Sequence, residues 1–303
     1  MSTRGTDPGS AHGGKANESV EPSAAEGRPS RTKWIGVGLD GCKSGWVAAR
    51  WDGRTLGFAQ FASIDDWAED PSWQAEPALI DIPIGLLDGS GEDVRTCDAL
   101  ARGLLGPRRS SVFAAPGRAA VDAPDYPAAN RANRKALGKG LSKQAYYLIP
   151  KVREVDRWLR AGADGVAIPE RLARLAESHP ELVFAFAQAE SESETDGAPL
   201  PMAMGKKTAQ GQRDRRKLLE ALMPGCGRAI DRARGRAIDR ARGRMTVKDV
   251  ADDDLLDAAV LAWASLVRAE AGERRSIPAT PPLDAYGLPM RMLVRTKTPA
   301  HAG

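Results

Sequence analysis

The eight residues 78–85, ALIDIPIG, constrain this chain more than any other stretch. Their apolar character is continuous rather than alternating, which is the pattern of a strand covered on both faces. Such strands belong to the interior of α/β sheets. Pro83 has no N–H to give to a ladder and helps to end the strand. Asp81 stands inside the run, although an ionised carboxylate in an apolar setting is costly unless it is paired or binds a cation.

The same conflict appears upstream in residues 34–40, WIGVGLD. Ile35, Val37 and Leu39 share one face of a strand, and Gly36, Gly38 and Asp40 share the other. The two glycines leave room for a helix or a substrate backbone to approach that face. Asp40-Gly41 then reads as a turn, followed by a second strand over Trp46–Trp51 and a third over Leu56–Phe61. The three strands predict an antiparallel meander. A short capped helix follows at Ser63–Trp67, and Val94–Leu105 predicts a helix closed by Gly106-Pro107. Helical patterns recur over Leu141–Arg160 and Pro169–Ala176, with Pro150 expected to break or kink the first. Leu182–Ala187 reads as one further strand. Asp249–Gly272 is the clearest helix, with Leu255, Leu256, Ala259, Trp263, Leu266 and Val267 as its apolar stripe.

Composition sets the boundaries. Residues 1–32 are rich in Gly, Ser, Pro and charge, and read as a disordered tail without the apolar core of a secretory signal. A folded domain is expected over 33–272, with a large helical insertion at about 90–245 and a Pro-rich basic tail over 273–303. No run approaches membrane-spanning length, so a cytoplasmic protein without membrane contact is expected. Cys42, Cys97 and Cys226 form no CxxC pair, which argues against a zinc ribbon or a disulfide framework. Histidines occur only at His12, His179 and His301, so chemistry needing several His ligands is disfavoured. The net charge of +4 is mild, but residues 206–244 hold 13 Lys/Arg against 4 Asp/Glu. That excess suits a phosphate-bearing partner, or else a solvated helix face. Within it, residues 227–242 repeat GRAIDRAR twice, a period too short for a solenoid unit and read as a local duplication.

The carboxylates make more sense together than apart. Asp40 alone could start a turn and Asp81 alone could cap a loop. Asp252 and Asp253 suit the N-terminus of the last helix, where carboxylates meet free amides and the dipole. Asp257 lies a turn further in, and its spacing of three from Asp254 lets both point the same way. If the first and fourth strands are neighbours and the last helix crosses them, Asp40, Asp81, Asp254 and Asp257 converge. Such an oxygen-only cluster suits Mg²⁺ or Mn²⁺, and a pair of ions about 4 Å apart can activate water for phosphodiester cleavage.

The order of three strands, helix, strand and a carboxylate-bearing final helix resembles the ribonuclease H-like fold, and the placement of its acids resembles the RuvC-type resolvases. A closer resemblance is to the DUF429 family, described as predicted nucleases of the ribonuclease H fold. It rests on GLDGCKSGW (38–46), IDIPIGL (80–86), RTCDALARGLLGPRRSSVFAAPGR (95–118), GKGLSKQ (138–144), KVREVD (151–156), ESHPEL (177–182), KKT (206–208) and DDDLLDAAVLAWAS (252–265). The resemblance implies a mixed sheet, with a three-strand antiparallel meander plus parallel strands, flanked by helices. It implies metal binding by Asp40, Asp81 and Asp257, with Asp254 as a fourth catalytic acid and two Mg²⁺ or Mn²⁺ ions as cofactor.

Lesser motifs supply the remaining candidates. Lys206, Lys207 and Arg213 could line a nucleic-acid path, and Ser110, Ser111 and Arg118 could hold a phosphate, or form a self-bonded loop. Glu177, His179 and Glu181 could support the site, with His179 alternatively a structural hydrogen-bonder. Trp46 and Phe113 read as core rather than as stacking platforms. The expected function is a metal-dependent nuclease acting on DNA or RNA, and the sequence specifies no oligomeric state. The rivals are a catalytically inactive nucleic-acid-binding or scaffold protein on the same fold and, ranked last, a phosphotransferase of the actin–sugar-kinase type. That last class needs a second glycine-rich phosphate loop, which the sequence lacks.

Overall fold

The computed structural model describes residues 35–75, 77–90, 94–161, 167–192, 198–235, 250–267 and 273–296. The expected tail at 1–32, residues 236–242 of the octapeptide repeat and Gly272 lie outside these residues.

The chain begins with the meander: β1 (Gly36–Cys42), β2 (Gly45–Trp51) and β3 (Leu56–Phe61). β1 runs two residues further than its alternation suggests, so Asp40 lies inside the strand, paired with Val47. The turn is at Lys43-Ser44 rather than Asp40-Gly41, and Gly45 takes a φ of 137° there. Ser63 caps α1 (Ile64–Glu69) by accepting from the Asp66 amide at 3.1 Å, as its position before an apolar turn predicts. β4 (Ala78–Ile80) then enters the sheet parallel to β1.

The region between β4 and the last helix contains α2 (Thr96–Leu105), α3 (Arg118–Val121), α4 (Tyr126–Leu137), α5 (Lys143–Arg160) and α6 (Ile168–Arg174). It continues through β5 (Leu175–Glu177), α7 (Pro180–Ser191), α8 (Ala209–Leu222) and α9 (Cys226–Gly235). α5 runs through Pro150 without breaking there. The strand expected at Leu182–Ala187 is helix α7, and the strand lies just before it at β5. All six of those apolar residues are buried, so the run carries no periodicity that would separate a buried helix from a strand. Pro180 in the first turn of α7 is the local signal for helix. α10 (Asp252–Ser265) is the predicted last helix.

The strands assemble as β3-β2-β1-β4-β5, with β4 and β5 parallel to β1. This five-stranded mixed sheet, flanked by helices, agrees with the ribonuclease H-like architecture expected above. One apolar layer joins Val37, Leu39 and Ile80 to α1 and α5; the other joins Val47, Leu79 and α7 to α10. The expected C-terminal tail instead carries an antiparallel ribbon, β6 (Glu273–Ile277) and β7 (Met292–Thr296), over its described part. Ile277, Met290, Met292 and Val294 bury their side chains in the second layer, which is why this Pro-rich segment is ordered. No helix among the described residues is long and apolar enough to cross a membrane.

Gly36 and Gly38 determine how α10 meets the sheet. A Cβ at Gly36 would lie 2.0 Å from the Ala262 carbonyl oxygen, and one at Gly38 would lie 2.2 Å from that of Ala258. The helix therefore rests backbone to backbone on β1, as only glycine permits. Two strand residues advance about 6.6 Å and four helical residues about 6 Å, so the two elements run in step. One further step from Gly38 reaches Asp40 on the strand and Asp254 on the helix.

Candidate metal centre

The carboxylates come from three elements. Leu39 and Ile80 are paired across β1 and β4, and the Asp81 amide donates to the Leu39 carbonyl at 3.2 Å. Asp40 and Asp81 therefore leave adjacent strands side by side. Asp81 follows Leu79 by two residues, so it shares the face that packs on α10, as Asp40 does after Gly38. α10 brings Asp253, Asp254 and Asp257 in its first two turns.

All five line one cavity of about 820 Å³. Asp40 is 8 % exposed and Asp257 is 1 % exposed. Burial, followed by the charges of Asp257 and Asp81, raises the Asp40 carboxyl well above its usual range. Burial also raises Asp254. Asp257 is pushed up to about 6 by burial, aided by Asp81 and Glu181, against the pull of Lys206. The Asp40 Oδ1 accepts from the Gly41 amide at 2.8 Å, and the Asp254 Oδ2 accepts from the Ala251 amide at 3.1 Å.

Lys206 is the cation among them. Its Nζ lies 2.5 Å from the Asp257 Oδ2 and 3.8 Å from the Asp253 Oδ2, which also receives Lys207 at 2.6 Å. Burial alone would lower the Lys206 ammonium, but Asp257, Asp40 and Asp81 outweigh it and hold it above its ordinary range. The excess of negative charge thus holds the lysine's proton, while burial and mutual repulsion raise the proton affinity of the acids. The Asp257 Oδ1 has no hydrogen-bond partner among the described residues although it is fully buried. A buried, unpaired carboxylate oxygen within an all-oxygen set fits a hard divalent cation such as Mg²⁺ or Mn²⁺.

The Lys206 loop is held from behind. Gly211, in the first turn of α8, lies so close to it that a Cβ would be 2.1 Å from the Gly205 carbonyl oxygen. Thr208 caps that helix through the Gly211 amide at 3.0 Å. Arg215, wholly buried, donates to the Met204 carbonyl at 2.9 Å and to both Glu181 oxygens at 2.6 and 2.7 Å. Glu181 therefore lines the cavity as an anchor for this loop. His179 also lines it, with Nε2 at 3.3 Å from the Ser111 carbonyl and Nδ1 buried without a partner among the described residues.

A second acidic group, Cys97, Asp98 and Glu177, has its potential ligand atoms within 4.8 Å of one another, and Asp98 and Glu177 line the same cavity. Arg95 already supplies its cation. Its Nε donates to the Asp98 Oδ1 at 3.0 Å, one terminal nitrogen pairs with Glu177, and the other donates to the Ile84 and Gly85 carbonyls at 2.7 Å. Glu177 also accepts from the Ile84 amide at 2.7 Å, while burial pushes its carboxyl up to about 7. Burial raises the Cys97 thiol too, so it is neutral. This group ties the turn after β4 to α2 and β5.

The remaining candidates separate. Ser110 and Lys207 line the cavity. Arg118 does not: it donates to both Asp156 oxygens at 3.1 Å and to Asp284 at 2.5 Å, and its guanidinium covers the Tyr286 ring at 4.4 Å. That commitment clamps the loop before β7 to α5. Arg213 is exposed on α8 and donates to Gln210 at 2.6 Å, outside the cavity. Trp46 is core, but Phe113, also expected there, is 39 % exposed and lines the cavity. Sequence reasoning missed the cavity-lining roles of Asp253, Arg108, Phe113 and Tyr147. Asp253 had a sufficient explanation as a helix-cap acid, and the other three depend on loop and helix placement.

The family model described as protein of unknown function (DUF429) matches residues 38–283, and the chain belongs to this family. No curated protein matches the chain, and no solved structure does.

Proposed function

We propose that this member of the DUF429 family is a divalent-metal-dependent nuclease that hydrolyses phosphodiester bonds of nucleic acid. The observation that carries the reading is the convergence of Asp40, Asp81, Asp254 and Asp257 in one open cavity, with a buried Asp257 oxygen that has no partner among the described residues. Asp40, Asp81 and Asp257 would hold Mg²⁺ or Mn²⁺, with Asp254 beside them. When bound, such ions supply an acidified water and neutralise charge on the leaving oxygen.

The chain's own residues then have defined tasks. The ionised carboxylates concentrate negative charge where the cation is needed, at the cost of raised proton affinity. Lys206, beside Asp257 at the cavity, would be placed to donate to a non-bridging phosphate oxygen. Lys207, Arg108 and Ser110 would extend phosphate contact away from the acids.

The experiment is a cleavage screen over branched DNA, single strands and RNA with Mn²⁺, alongside Asp40→Asn and Asp81→Asn. Both variants should fold and lose metal-dependent cleavage. Unchanged cleavage in both would refute the assignment. One observation favours a second reading, a protein that binds nucleic acid without turnover: Lys206 already provides a cation to Asp257. Salt-dependent binding that persists in EDTA, with no cleavage of any substrate, would select that reading.

A further inference from the structure

The cavity has a wall that the metal centre does not use. Among the described residues three aromatic side chains are strongly exposed: Phe113 at 39 %, Tyr147 at 73 % and Tyr286 at 47 %. Tyr286 is covered by the guanidinium groups of Arg118 and Arg160, each 4.4 Å from its ring. The other two both line the cavity that contains the carboxylates. In a chain with only 5 % aromatic residues, exposed rings therefore coincide with the site.

Phe113 is presented by a braced loop. The Val112 carbonyl accepts from Arg102 at 2.9 Å, the Ala115 amide donates to Asp98 at 3.2 Å and the Gly117 amide donates to Asn133 at 2.7 Å. The backbone on both sides of the ring is thus fixed before any ligand arrives, which reduces the ordering cost of binding. Tyr147 stands on α5, the helix that also lines the cavity with Pro150 and Lys151. Arg108, on the loop that leads to Phe113, adds positive charge to the same cavity.

We infer that Phe113 and Tyr147 form a stacking platform for an unpaired nucleobase, so that the substrate is single-stranded or locally unpaired nucleic acid rather than intact duplex. The inference rests on the nuclease reading, in that the carboxylate end receives the phosphate next to that base. Bases inside a duplex stack on one another and offer no free face, whereas an unpaired base offers two. A volume of about 820 Å³ accommodates a few nucleotides of one strand, and small-ligand sites span about 300–1,000 Å³.

The test is binding of a single-stranded oligonucleotide carrying 2-aminopurine, with a hairpin-capped duplex of the same sequence as comparison, in Ca²⁺ buffer. The intact protein should quench 2-aminopurine fluorescence and bind the single strand at least tenfold more tightly than the duplex. Phe113→Ala and Tyr147→Ala should each weaken single-strand binding roughly 5- to 150-fold, the contribution of one stacked base, and lose the quench. Phe113→Trp should restore both. Lys207→Ala should weaken single strand and duplex alike. Equal affinity for single strand and duplex, or single-strand affinity unchanged in both alanine variants, would overturn the inference. So would a free mononucleotide that binds as tightly as the oligonucleotide, because the ligand would then not be a strand. The two readings fail separately: loss of the nuclease reading shows in Mn²⁺-dependent cleavage by Asp81→Asn, and loss of the platform shows in these binding ratios.

Discussion

Asp257→Asn should stabilise the metal-free protein at pH 8 while abolishing its response to metal. Asp257 is 1 % exposed, and burial with its acidic neighbours moves its carboxyl from 3.8 up to about 6. That rise of about two units corresponds to about 3 kcal/mol of preference for the protonated form in the folded state. The sign follows from linkage. The folded state binds this proton more tightly, so the stabilising contribution is complete below pH 3.8 and is lost as the pH rises through about 6. At pH 8 the ionised group therefore opposes folding, and asparagine removes that opposition. Against this, Lys206 loses its closest partner, but it keeps Asp40 and Asp81 nearby and is 32 % exposed to water. The net gain should be about 1–3 kcal/mol, or a Tm rise of roughly 2–10 °C for a domain of this size. Thermal scans by circular dichroism in EDTA at pH 8 and pH 4 provide the assay, and the gain should shrink towards zero at pH 4. Millimolar Mn²⁺ should raise the Tm of the wild type at pH 8 and leave that of the variant nearly unmoved. A variant less stable than wild type by the same margin at both pH values would refute the claim that charge is in excess here.

Three further outcomes test the scaffold around the acids. Gly38→Ala puts a Cβ 2.2 Å from the Ala258 carbonyl oxygen, so α10 must shift; a loss of about 3 kcal/mol in chemical denaturation is expected, with metal-dependent activity lost as well. Glu181→Gln leaves the fully buried Arg215 without its carboxylate and should cost about 3–5 kcal/mol, together with weaker phosphate binding as the Lys206 loop loosens. Arg118→Ala breaks the clamp to Asp156 and Asp284 but leaves the cavity untouched, so Tm should fall while the salt dependence of nucleic-acid binding stays unchanged.

Much of this arrangement was legible in the sequence because it depends on periods and pairings. The alternation over 34–40 separated glycine from apolar residues, and the continuous run at 78–85 required cover on both faces. What escaped was whatever depended on absent periodicity or on distant packing. Leu182–Ala187 is buried on every side, so its helix left no apolar stripe. The ribbon at Glu273–Ile277 and Met292–Thr296 is ordered by contacts with the α7 and α10 layer, which no local pattern reports. Arg118 looked like a phosphate ligand because arginine suits bidentate phosphate contacts, whereas Asp156 and Asp284, 38 and 166 positions away, had already claimed it.

The position of the acids follows from the absence of side chains rather than from their presence. Asp40 would be a turn residue if β1 stopped where its alternation ends, yet the strand continues to Cys42 and keeps the carboxylate inside the sheet. The Gly36 and Gly38 contacts then fix the register of α10 on β1 by backbone collision, a harder constraint than apolar packing, which tolerates sliding and repacking. Because helix and strand advance in near-equal steps, that register carries forward to Asp40 and Asp254 without further contacts. The acids can therefore carry more negative charge than Lys206 and Lys207 offset and still stay together, since the force that places them acts two residues behind Asp40. This division of labour reconciles a cluster that opposes folding with a fold that places it so closely.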